Sequence, residues 1–129
     1  MAVGLASAVA ASMLDAFLNA TAYTGPANVY LKLHVGDPGA AGAANAAVET
    51  TRKEVTFGAA SGGAITSDNA PSWTNVAGTE DYTHVSLWTA AAAGTFQGSG
   101  TVTASAVTAG DTFTLAVADV DMNLTNIAS

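Results

Sequence analysis

Apolar positions recur along the chain with two different periods, and the change between them falls near Gly25 and Pro26. Before that break, in residues 2–20 (AVGLASAVAASMLDAFLNA), Leu5, Val9, Met13 and Phe17 recur every four positions, and Leu14 and Leu18 widen the stripe. Side chains four apart share one helix face, so the spacing predicts an amphipathic helix over 2–20. Alanine fills the remaining positions and favours helix by intrinsic propensity. The same stretch has no Lys or Arg and contains Asp15, which speaks for a packing helix against a secretory signal peptide.

After the break the period becomes two. In residues 28–35 (NVYLKLHV), Val29, Leu31, Leu33 and Val35 alternate with Tyr30, Lys32 and His34, the pattern of a half-buried strand. Gly36, Asp37, Pro38 and Gly39 close it as a turn, and the small residues 40–47 predict an exposed loop. Strand signals return at 53–59 (KEVTFGA), at 64–67 and at 82–89 (YTHVSLWT), where Val85 and Leu87 oppose His84, Ser86 and Trp88. Residues 68–78, with Pro71 and Trp73, predict a loop containing a brief extended piece, and 90–94 a connection. Residues 95–103 and 111–124 supply the last strands, with Phe113, Leu115 and Val117 marking an inward face. Six to eight short strands separated by Gly and Pro turns predict a mainly β chain, an antiparallel sandwich (jelly-roll-like) or a barrel with one N-terminal helix. The whole of 1–129 is expected to form a single domain, helix at 2–20 and β-sandwich at 28–124.

Composition narrows what such a domain does. Of 129 residues, 30 are alanine and only 26 are Val, Leu, Ile or Phe. The large-residue core is therefore thin, and a thin core in a small domain implies stabilisation by partner subunits. Three basic residues (Lys32, Arg52, Lys53) stand against ten acidic ones, a formal net charge of −7. That balance excludes the basic footprint that nucleic acid requires and disfavours an anionic membrane surface. No apolar run reaches the ~20 residues of a bilayer-spanning helix. With no cysteine, disulfides, thiol nucleophiles and thiolate zinc sites are excluded.

Candidate chemistry is sparse. His34 and Asp37 sit three apart across a strand end, with no nucleophile motif beside them, and read as a surface histidine next to a turn aspartate. Asp111, Asp119 and Asp121 lack the glycine-punctuated loop of a calcium site and read as a charged solvent face. Asn19-Ala20-Thr21 and Asn123-Leu124-Thr125 match the glycosylation pattern, which is short and common by chance. No phosphate-binding, dinucleotide or hydrolase motif occurs, so no catalytic, cofactor or metal residue is expected. Tyr82, His84 and Trp88 share one face of their strand under strict alternation. That stripe is read as an interface, with a ligand platform as the alternative, because such amphipathic rings are enriched at contacts. The helix residues Leu5, Val9, Met13 and Phe17 are the other candidate contact surface.

Four segments carry a resemblance. Residues 31–39 (LKLHVGDPG) with Asn45, then Arg52 and 55–57 (VTF), then 83–88 (THVSLW), then 103–105 (TAS) with 109–112 (AGDT) are similar, in order, to a family of small structural proteins of tailed bacteriophages, including phages of actinobacteria. Members of that family are called tail fibre-like, minor capsid or head decoration proteins. The resemblance implies a non-enzymatic virion protein without a cofactor. The expected role is capsid decoration, as a trimer stapling the major capsid protein lattice at the virion surface. A tail fibre or tail-tip domain recognising host glycan through Tyr82, His84 and Trp88 is the alternative. The arm reaching a neighbour would be the N-terminal helix or residues 38–51.

Overall fold

A computed structural model describes residues 3–124. Two residues at the start of the expected helix and domain range, Met1 and Ala2, lie outside it, as do 125–129 with the threonine of the second glycosylation match. Among the described residues there are nine strands and one helix. They are β1 (Gly4–Leu5), α1 (Ser7–Leu18), β2 (Val29–His34), β3 (Lys53–Val55), β4 (Ala64–Thr66), β5 (Ser72–Trp73), β6 (Glu80–Trp88), β7 (Phe96–Val107), β8 (Phe113–Thr114) and β9 (Asp121–Asn123). The main sheet has the order β1-β7-β6-β2-β3, and two ribbons, β4-β9 and β5-β8, make up the rest, every pair antiparallel. The mainly β sandwich with one N-terminal helix expected from the alternation is therefore the observed architecture.

Its core lies between one face of the main sheet and the ribbons. Leu31 and Leu33 of β2, Val55 of β3, and Tyr82 and Val85 of β6 meet Trp73 of β5 and Phe113 of β8, all essentially removed from solvent. Phe113 is the hinge of the aromatic cluster: its ring lies 5.0 Å from Tyr82, edge to face, and 5.8 Å from Trp73, within the range where such pairs add to simple area burial.

The helix begins later than its periodicity implies. Gly4 has φ +134, a conformation open to glycine and strained for other residues. It allows Gly4 and Leu5 to extend and pair with Ser99 and Gly98. Leu5 is therefore a strand residue, and the helix starts after Ala6 with no side-chain cap. Gly98 is needed at this junction: a Cβ there would lie 2.8 Å from the Gly4 carbonyl oxygen, so β1 docks against β7 only because that side chain is missing.

Three other expectations are corrected. The single strand expected at 111–124 divides into β8 and β9, because Ala118 takes φ +70 and Asp119 Oδ2 accepts the Ala116 N–H at 2.8 Å, closing a turn. Val117 consequently leaves the inward face and is exposed. The strand expected at 53–59 stops at Val55, beyond which only Phe57 bridges to Ser67.

Residues 40–47, expected as an exposed loop, are exposed at all but Gly42 and Ala47, and the loop folds back over the polar face of the main sheet. Asp37 Oδ1 accepts the Gly39 N–H at 2.8 Å, Ala44 N–H bonds the Pro38 carbonyl at 2.9 Å, and Asn45 Nδ2 donates to the Asp37 carbonyl at 2.8 Å. Pro38, Gly42 and Ala47 are buried as a result. Gly42 takes φ +70 and is packed so tightly that a Cβ would sit 2.3 Å from Phe96 Cδ1. Replacing it by alanine is expected to cost roughly 2–4 kcal/mol, from overpacking plus left-handed strain. Urea unfolding of Gly42→Ala against the parent checks this, and an unchanged midpoint would show that the loop is not held against the sheet.

Candidate functional site

The polar face of β2 and β6 collects most of the chain's chemically able side chains. Cross-strand register places His34 opposite His84, Lys32 opposite Ser86 and Tyr30 opposite Trp88, with Thr101, Ser99 and Phe96 of β7 next along the same rows. Side chains in register on one face are close neighbours, so residues about 50 positions apart in sequence come together.

At the centre is the Ser86 hydroxyl. His34 Nε2 lies 2.7 Å from Ser86 Oγ, Trp88 Nε1–H donates to the same Oγ at 2.7 Å, and His34 Nδ1 lies 2.9 Å from the Ala44 carbonyl oxygen. A carbonyl only accepts, so Nδ1 carries the proton and Nε2 accepts from the Ser86 O–H. The hydroxyl oxygen in turn accepts from the indole. One neutral tautomer satisfies all three bonds. Burial holds the His34 pKa below its usual value, partly opposed by the hydrogen bond to Ala44.

A serine–histidine pair at 2.7 Å has the outline of a nucleophile and its base. Here both side chains are fully buried, and the hydroxyl proton is already directed at the imidazole beneath a loop that His34 itself anchors. Ser86 presents no surface to solvent. The pair works as a rivet between β2, β6 and the loop at 36–47. His34, expected at the surface beside Asp37, is thus an interior group, while Asp37 turns away to cap Gly39.

Arg52 closes the other end of the row. Its guanidinium carbon stands 4.2 Å over the Trp88 ring, and Nη1 donates to the Ala90 and Ala93 carbonyl oxygens at 2.9 and 2.6 Å. One cation–π contact of this kind contributes about 0.5–2 kcal/mol. More usefully, it gives two carbonyls of the alanine run at 90–93 a donor. Phe96 packs on Trp88 at 5.6 Å, so the indole is flanked on both sides.

The interface stripe read from the sequence is therefore divided. Between Tyr82 and His84 the β6–β7 ladder slips: Tyr82 pairs with Ser105 but His84 with Thr101, so one residue of β6 faces three of β7. The regular two-residue alternation is interrupted at this irregularity, as the burial of both Tyr82 and Val85, three positions apart, shows. Tyr82 falls on the same side as Val85, inside the core, and only His84 and Trp88 remain on the polar face, half-buried. His84 Nδ1 is paired with Thr83 Oγ1 at 2.8 Å. The Tyr82 hydroxyl finds no hydrogen-bond partner among the described residues, and burial, with the negative Glu80 and Glu49 nearby, pushes its pKa up to about 12.

Two acids that sequence reasoning passed over organise the adjoining segment. Both carboxylate oxygens of Glu80 accept the Val48 N–H, at 3.0 and 2.9 Å, and Oε2 also takes the Glu49 N–H at 3.3 Å. The buried Glu49 accepts the Thr51 N–H and the Ala77 N–H, each at 3.1 Å, and Trp73 Nε1–H donates to the Thr51 carbonyl at 2.7 Å. Residues 38–51, one of the two arms expected to reach a neighbour, are thereby tied down along their length. Two glutamates 31 positions apart carry no recognisable local motif, so only the fold reveals them.

The remaining candidates scatter. Asp111, Asp119 and Asp121 each bond within their own turn or strand, to the Thr108 N–H, the Ala116 N–H and Asn123 Nδ2. No three metal-ligating side chains converge among the described residues. Leu5, Val9 and Met13 line one wall of a cleft of ≈ 360 Å³, whose other walls include Phe57, Ile65, Val85 and Met122. Phe17 points elsewhere and is 80 % exposed.

In this antiparallel sandwich His34, Ser86, Glu49 and Glu80 are all engaged in hydrogen bonds within the chain. The class of the protein comes from the comparison with known families. Residues 4–123 match the family described as Podophage GP4 fiber I protein gp80, and the chain belongs to that family. It is thus a bacteriophage structural protein of fibre-like type, a component of the virion. No curated protein matches the chain.

Two measurements test this site. Because the folded pKa of His34 lies below 6.5, protonation favours the unfolded chain. Its stabilising contribution is complete above about pH 6.5 and falls as pH drops below that value. Melting temperatures at about pH 7.5 and about pH 5.5 should differ less in His34→Gln than in the parent. The second is Tyr82→Phe, which removes a buried hydroxyl without a partner among the described residues. It should leave stability unchanged or raise it by up to about 1 kcal/mol, and a clear loss in urea unfolding would reveal a bond to that oxygen.

Proposed function

We propose that this chain is a non-enzymatic fibre subunit of the podophage virion, working as a homo-oligomer, a trimer in the simplest case, and docked on other virion proteins. Membership of the fibre family supports that address. The observation that carries a structural role over a catalytic one is the complete use of Ser86 and His34, both fully buried, in joining β2, β6 and the overlying loop. Glu49 and Glu80 support it, since they too hold backbone. Trp88 lies between Arg52 and Phe96, and Tyr82 lies in the core. A glycan-stacking platform built on Tyr82, His84 and Trp88 is therefore not open. Host attachment, if this chain takes part in it, runs through the assembly it helps to build.

Capsid decoration, with the major capsid protein as partner, is the rival address. Quantitative mass spectrometry of purified virions separates the two. A few to a few dozen copies are expected for a fibre or tail subunit. A number comparable with the major capsid protein would move the chain to the head lattice and overturn the fibre assignment.

A further inference from the structure

Helix α1 is apolar on two sides. Its inner side, with Val9 and Met13, faces the cleft and is half-buried, and Tyr23 just beyond the helix lines the same cleft. Its outer side is also apolar: Leu14 is 59 %, Phe17 80 % and Leu18 68 % exposed. Ser12 and Asp15, three apart, form an exposed polar strip beside it. Ala11 is exposed on the same helix, and none of the helix residues is fully buried. A broad apolar face on a helix is ordinarily turned inward, and no other part of the described chain covers this one.

The charge distribution identifies the occupant. The chain carries a net charge of −7, yet between Val3 and Val29 the only charged side chain is Asp15, whose carboxylate accepts a hydrogen bond from Asn19 Nδ2 at 2.7 Å. The other nine acidic residues, and all three basic ones, lie in the sandwich and its loops. Two copies of an acidic chain repel wherever those acids face one another. The outer face of α1 is the surface on which identical copies meet without that repulsion.

The area suits the centre of such an interface. Leu14, Phe17 and Leu18 present on the order of 400 Å² together, about half of the roughly 800 Å² per partner of a standard interface. Ala11 extends the patch and lets a second helix approach closely.

We propose that the outer face of α1, centred on Leu14, Phe17 and Leu18, is the self-association surface of this protein, with α1 of one copy packed on α1 of the next about a symmetry axis. This deepens, and rests on, the reading of the chain as an oligomeric virion subunit. It also moves the contact off the Leu5–Val9–Met13 stripe, which faces the chain's own sheet.

The test uses the full chain. Sedimentation equilibrium should return a multiple of 12.7 kDa, and Phe17→Ser with Leu18→Ser should weaken association about a hundredfold or more. Neither side chain is in the core, so near-ultraviolet circular dichroism should show the Trp73, Tyr82 and Phe113 cluster intact in that variant. Because the chain has no cysteine, Leu18→Cys offers a second readout. It should crosslink into a covalent dimer on mild oxidation, whereas Val48→Cys, at a position 62 % exposed in the sandwich, should not. A monomeric parent at every soluble concentration, or equal crosslinking from both positions, would overturn the proposal. If that monomer is still found in virions at fibre copy number, the self-association surface falls and the fibre assignment stands.

Discussion

The bond between His34 and Ser86 is the constraint on which the rest of the fold depends. Strands β2 and β6 are covered on both sides, by the aromatic core on one and by a glycine- and alanine-rich loop on the other. A loop with so few large side chains has little apolar area with which to hold itself down. It stays because His34 Nδ1–H reaches the Ala44 carbonyl while Nε2 is fixed by Ser86, whose oxygen also takes the Trp88 indole. Trp88 in turn receives Arg52, which holds the connection at 90–93. Loop, sheet and connection are thus joined by a short relay in which both nitrogens of His34, the Ser86 hydroxyl and the Trp88 indole N–H are all bonded, the condition under which buried polar groups stabilise.

The acids repeat the same device in another place. Glu80 at the start of β6 and Glu49 in the preceding segment gather backbone N–H groups that no strand would satisfy. A domain with a small apolar core thereby keeps long irregular segments in place with charge-assisted bonds. This economy of large side chains also explains the division of labour along the chain. The sandwich carries nine of the ten acids, while α1, with Asp15 as its single charge, is left with its outer side uncovered.

Much of this was legible in the residues. Period-two alternation located β2 and β6 and their apolar faces because antiparallel strands covered by a core on one side must alternate. The four-residue spacing of Val9, Met13 and Phe17 located α1. The ordered motifs around His34, Arg52 and Trp88 pointed to a phage virion protein, and those three residues prove to be neighbours in space. Misreadings arose where a non-local term outweighed the local pattern. Gly4 permits pairing with β7, so Leu5 is drawn into a strand. A left-handed Ala118 divides the last strand. A slipped ladder sends Tyr82 into the core.

What the sequence by itself determined is the class of the protein: a β-rich, acidic chain with a thin core, one helix carrying a single charge and no catalytic motif. Those properties follow from composition and from periodicities of two and 3.6, which are local. Which polar groups act together was decided by the tertiary structure alone. Hydrogen bonds link His34 to Ser86, and Glu49 to Ala77, across gaps of 52 and 28 positions. The sense of Tyr82 and the uncovered side of α1 depend likewise on a register slip and on what the rest of the chain does not reach. Directional bonds and burial require proximity in space, and proximity between distant positions exists only once the sheet has formed.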